Sequence, residues 1–120
     1  GRWQGYEGTD VEMTLDLGAE RMVSELGAGF LQYQPAWIFM PRRVTFSISR
    51  DGVSFTDIMT VENTSSDRDE SALIRDFTVP FDGQSARFAR LRAESIGSCP
   101  GWHPGAGGKA WIFIDEFIVR

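Results

Sequence analysis

Cys99 and His103 are the only cysteine and the only histidine in this 120-residue chain. One cysteine excludes an intramolecular disulfide and a cysteine zinc cluster. A thiolate–imidazole pair or a histidine metal site would have to be built from these two residues alone, four apart in one loop. A lone thiol usually behaves as a small buried hydrophobe. Basic residues are scarce as well: 12 Lys and Arg face 17 Asp and Glu, a formal net charge of -5. Binding a phosphate backbone needs a basic patch to release counterions, so the balance argues against a nucleic-acid partner. No apolar run approaches the ~20 residues needed to span a bilayer, and no basic-then-apolar leader is visible. Helical periodicity is nearly missing. "GAERMVSELG" tolerates helix but is bounded by glycines, and it reads as a turn leading into a strand. With 42% hydrophobic residues and no internal repeat or linker, residues 1–120 form one domain with a modest core.

What the chain does have is alternation, the period-two signature of half-buried strands. In "DVEMTLDLG", Val11, Met13, Leu15 and Leu17 share one face, and Gly18 ends the run. "RRVTFSISRDGVSF" places Val44, Phe46 and Ile48 inward and turns at Asp51-Gly52, a hairpin dipeptide because glycine accepts positive φ. "TDIMTV" supplies the returning strand. Beyond the polar "NTSSDRDES", "ALIRDFTVP" sets Leu73, Phe77 and Val79 on one parity with Arg75. "ARFARLRAES" alternates Ala89, Leu91 and Ala93 against Phe88, Arg90 and Arg92. "KAWIFIDEFIV" is apolar on both parities, as for a central strand covered on both sides, with Trp111 in the core. Short strands separated by turns, without a long helical period, predict an all-β sandwich or barrel.

Several of these pieces, in this order, resemble coagulation factor V/VIII type C (discoidin-like) domains. The strand closing on "DLG", the "VTFSISRDGVSF" hairpin, the "ARFARLRA" strand and the final "IDEFIV" carry the resemblance over residues 10–120. "GRWQGYEG", "FLQYQPAWIFMP" and "GWHPGAGGKAWIFIDE" are similar to the C-terminal domain of bacterial β-N-acetylhexosaminidases, the chitobiases. The resemblance implies an antiparallel jelly roll of the galactose-binding type. It also implies a non-catalytic, carbohydrate-binding role in a secreted, periplasmic or outer-surface glycoside hydrolase, with the catalytic domain of the same polypeptide as partner. Such domains usually begin with a further strand and a "TDG"-like loop, so the chain reads as a piece of a larger protein lacking its first strand. That loop commonly completes a structural calcium site, for which Glu116 matches the closing-strand ligand.

Sugar recognition needs a flat apolar platform for the ring and fixed polar groups for its hydroxyls. Loops at one end of the sandwich are the expected place. Trp102 and His103 form the leading pair, in a loop that Gly101, Gly105, Gly107 and Gly108 bend and Pro100 and Pro104 stiffen. The opposing reading has Trp102 plugging the loop and His103 bonded to a backbone carbonyl. Trp3, Tyr6 and Trp37 are further aromatic candidates, each also able to pack. Arg75 and Lys109 are candidate hydroxyl partners. A glycosidase needs two carboxyls flanking one bond. Asp115 and Glu116 are strand neighbours and diverge, and "DRDE" reads as a solvated acidic loop, so catalysis is not expected. The alternative function is a purely structural domain packed on its catalytic partner, with an apolar patch around residues 30–40. A third is protein or lipid-headgroup recognition through "QYQPAW".

Overall fold

Two of the six strands are far longer than their alternation suggests. The computed structural model describes residues 3–120, with β1 Gln4–Glu7, β2 Val11–Gln32, β3 Arg43–Ser49, β4 Thr56–Glu62, β5 Leu73–Glu94 and β6 Trp111–Val119. Strands β2 and β5 have 22 residues each and pair antiparallel from Val11↔Ala93 to Gln32↔Leu73. Held straight, each would reach about 70 Å, yet the molecule's longest extent is 47 Å. The pair therefore folds double. Its register slips between Asp16 and Arg21 and again between Val23 and Glu25. Gly18, at φ +86°, sits inside the first slip. Gly18 thus bends the strand where the sequence suggested that it ended, and "GAERMVSELG" continues as strand.

Folding this pair double makes the sandwich. One half pairs with β3, and β3 with β4; the other half pairs with β6, and β6 with β1. The overall order is β1-β6-β2-β5-β3-β4. We call the β3–β4 side the front sheet and the β6–β1 side the back sheet. Between them lie Phe30, Phe46, Leu26, Leu91, Ile112 and Ile114, all buried. Phe46 from the front meets Phe117 from the back at a 6.3 Å ring separation, and Phe30 meets Phe77 edge-on at 5.2 Å. The inward residues assigned to β3 and β5 by alternation are in this core. Among the β2 residues assigned inward, Leu15 differs at 40% exposure, lying where β2 leaves the front sheet. No helix among the described residues is long and apolar enough to cross a membrane.

The β3–β4 hairpin turns at Gly52, φ +78°. Asp51 Oδ1 accepts hydrogen bonds from the Val53 and Ser54 amides at 2.8 and 2.9 Å. These amide bonds, that of Ser54 foremost, hold the Asp51 carboxyl below the usual carboxylate range. A hydrogen bond from Arg87 does the same for Asp16, as does one from Arg50 for Glu20 and one from Ser71 for Asp69. Because the folded values are depressed, the unfolded chain binds these protons first as pH falls. Their contribution is whole above the ordinary carboxyl values and is lost as pH drops through the folded ones. The urea midpoint should therefore be flat near neutrality and fall below about pH 4. The fall should be shallower in Asp51→Asn, and a midpoint independent of acid would contradict it. All four groups are solvent-exposed, so salt should reduce the effect.

Candidate functional site at the loop end

Folding β2 and β5 double brings both ends of that pair to one end of the sandwich. Four connections gather there: residues 8–10, 33–42, 63–72 and 95–110. Their backbones are cross-tied. The Arg42 amide donates to Glu94, the Asn63 amide to Arg42 and the Gly8 amide to Ala110. Two buried glutamines, Gln32 ending β2 and Gln34 in the turn beyond it, fasten the acidic loop: Gln32 Nε2 donates to the Ser66 carbonyl at 2.7 Å, and Gln34 Nε2 to the Asp67 carbonyl at 3.1 Å. Buried amides without such partners would be costly. Period-two patterning points to neither glutamine, since both are polar residues at a strand end.

His103 is the hub of the end. It is 4% exposed and ringed by Phe39, Trp102 and Trp37 at centroid distances of 5.4, 5.7 and 6.3 Å. The Gly105 amide donates to Nδ1 at 2.9 Å. Nδ1 must therefore be the acceptor, and Nε2–H donates to the Gln34 carbonyl at 2.7 Å. Both nitrogens are used internally, leaving no polar atom for a sugar hydroxyl. This corrects the reading of His103 as a ligand-binding residue: it latches the 95–110 loop to the 33–42 loop.

Trp37 completes the latch. It holds a left-handed conformation, φ 65°, after a single 3-10 turn over Gln34–Ala36. Its indole lies against Gly105 and Gly108, where an added Cβ would stand 2.5 Å from the ring in each case. The glycines thus serve close approach here, and the outer side of Trp37 stays 39% exposed. Trp102 is half-buried and packs with Ile96 on a small second core of Phe39, Cys99 and Ala110. Arg68 covers its ring at 4.9 Å, a cation–π arrangement. Burial pushes the Cys99 thiol up, which suits packing and not nucleophilic chemistry.

Beside this assembly opens a cleft of about 370 Å³, with Gln32, Phe39, Met40, Arg42, Asn63 and Asp67 among its lining residues. Arg75 lines a smaller cleft of about 160 Å³, and Glu62, Asn63 and Ser65 border both. The remaining candidates lie elsewhere. Tyr6 packs on the main core and donates to Gln4 Oε1, so its hydroxyl is engaged. Lys109 lays its stem along Gly8. Trp3 precedes β1 on the back sheet, and Trp111 stands on that sheet's outer face beside Phe113, 6.0 Å away, not in the core. Glu116 is exposed, and among the described residues no three His, Cys, Asp or Glu side chains come together.

No protein-family model matches the chain, and no curated protein does. Solved structures share its fold. The CBM32 module of AlyQ, in complex with 4,5-unsaturated mannuronic acid, is similar with a TM-score of 0.58 at 19% identity, over 98% of this chain and 76% of that one. A Clostridium perfringens module, CpGH89CBM32-5, in complex with GalNAc-β-1,3-galactose, gives a TM-score of 0.51 at 20% identity. The C-terminal domain of a chitobiase from Bacteroides fragilis gives 0.50 at 18%. The chain spans 65% of the length of each of these last two, which cover 88% and 92% of it. At these identities the likeness establishes the fold alone: an antiparallel β-sandwich shared with these modules.

Proposed function

We propose that this chain is a non-catalytic carbohydrate-binding module whose site is the loop-end cleft beside Trp102. In this reading it belongs to a secreted or periplasmic glycoside hydrolase of the β-N-acetylhexosaminidase (chitobiase) type, and holds the catalytic domain near N-acetylhexosamine- or galactose-bearing glycans. The observation that carries it is the open polar cleft set against a latched aromatic assembly. Arg42, Asn63 and Asp67 offer donors and acceptors, Phe39 and Ile96 line the apolar side, and Trp102 packs on the same small core beside them. Three crossing loops hold this surface in place, so little ordering cost falls on binding. The carboxylates whose acidity the fold alters, Asp16, Glu20, Asp51 and Asp69, are all more acidic than usual. That is opposite to the shift a general acid requires.

Affinity should be millimolar to micromolar, as for shallow, wet sites. Isothermal titration with N-acetylglucosamine and galactose oligomers tests the proposal. Arg42 is exposed, so Arg42→Ala should weaken binding about tenfold while the melting temperature stays put. Trp102→Ala should abolish binding and also loosen the small second core. Heats that neither substitution changes would remove this cleft from consideration.

A further inference from the structure

Trp102 offers the broadest flat apolar surface of its loop, yet the loop-end cleft stops short of it. The lining reaches Asp67 on one side and Ile96 on the other. Arg68 follows Asp67 in the chain, and Trp102 packs beside Ile96. The Arg68 guanidinium lies over the indole there, 4.9 Å from the ring centroid. Arg68 is exposed while Trp102 is half-buried, so the face it covers is the outward one. The rest of the ring is engaged from within. It rests on Phe39, Cys99 and Ala110, and His103 meets it edge-on at 5.7 Å. A sugar ring stacking on Trp102 therefore needs the place that Arg68 occupies.

The backbone before Arg68 sets it over the ring. The two glutamine amides fix the Ser66 and Asp67 carbonyls, and the Arg68 amide donates to Ser66 Oγ at 3.2 Å. Beyond Arg68 the loop bonds only locally, Asp69 to Ser66 and Ser71. The guanidinium itself is held by the indole alone. The ion pairs of the chain use Arg43, Arg50, Arg87, Arg90, Arg92 and Arg120. Among the described residues Arg68 meets no carboxylate within 4.0 Å, although Asp67, Asp69 and Glu70 flank it. An exposed cation–π contact is worth about threefold in an equilibrium constant. That holds the side chain in place and lets a ligand displace it, with the released guanidinium moving into water among those acids.

We infer that Arg68 is a displaceable cover of the loop-end site: it occupies the Trp102 platform in the free chain and yields it to a saccharide ring. The inference rests on the loop-end reading of the function and adds its regulation. With the cover off, the cleft extends from Asp67 and Ile96 onto the indole. Apparent affinity is lowered in proportion to the fraction of chains in which the platform is open.

The test titrates the parent chain and Arg68→Ala with N-acetylglucosamine and galactose oligomers. Removing the cover should tighten binding about threefold. The melting temperature should stay in place, since Arg68 is exposed. A second readout needs no glycan. Acrylamide quenching of tryptophan fluorescence should rise in Arg68→Ala, and Arg68→Ala/Trp102→Phe should quench like Trp102→Phe alone. Binding by both chains that is equal, or weaker in Arg68→Ala, would overturn the inference and leave the loop-end reading standing. Arg68 would then be a bystander in the first case and a ligand contact in the second. Quenching that Arg68→Ala leaves unchanged would also overturn it, because the indole would be closed by other groups. Silent titrations of both chains would sink the loop-end reading itself, and the cover with it.

Discussion

Replacing Phe46 with alanine should lower the stability of the domain by about 3–5 kcal/mol. The ring is fully buried in the middle of β3. It spans the two sheets, reaching Phe117 at 6.3 Å, while its backbone pairs with Leu91 on one side and Met59 on the other. Strands fixed on both sides cannot collapse into the space left behind, so the cavity term adds to the lost transfer energy. Domains of this kind are stable by about 5–15 kcal/mol in total, so the loss is a large share. It should appear as a lower urea midpoint with an unchanged slope. Phe46→Leu, which keeps most of the volume, should cost much less. Equal midpoints for Phe46→Ala and the parent chain would mean that the sheets do not close over this ring.

His103→Ala should be the next most damaging change, at about 2–4 kcal/mol. Its removal empties the centre of an aromatic triad and leaves the Gly105 amide without an acceptor. The Gln34 carbonyl keeps one donor, the Trp37 amide at 2.9 Å, so the loss falls mainly on the 95–110 loop. Trp37, whose indole rests on that loop, should become mobile with it. Amide exchange should accelerate at residues 95–110 and 33–38, while the paired centres of β2 and β5 stay protected. A uniform loss of protection across the sandwich would instead place His103 in the global core. Because the latch positions the walls of the loop-end cleft, His103→Ala should also weaken glycan binding there.

Much of the architecture was legible in the chain. Val44, Phe46 and Ile48, and likewise Ala89, Leu91 and Ala93, are inward because strand side chains alternate strictly and only one face of each sheet is buried. The Asp51-Gly52 turn was legible for a local reason: positive φ and a side-chain acceptor suffice to make it. The loop holding Trp102 and His103 was identified from glycine and proline content, but the choice between a ligand role and a backbone-carbonyl bond for His103 was left open. Whether an imidazole faces ligand or backbone depends on Gln34, 69 residues away, and no local pattern encodes that. Gln32 and Gln34 were missed for the same reason.

Trp111 shows where alternation fails. Apolar residues on both parities of β6 read as a strand covered twice, but β6 changes parity at the bulge opposite Gly29, so Phe117 turns inward and Trp111 and Phe113 remain outside. By itself, the sequence determined the all-β class, the net negative charge, and the exclusion of an intramolecular disulfide and of a multi-histidine site within these residues. These depend on composition and on a period that each strand carries within itself. Tertiary structure alone decided that β2 and β5 fold double and that His103 is a latch. Those outcomes rest on register and on bulges, where one added residue on a partner strand reverses which face a side chain occupies.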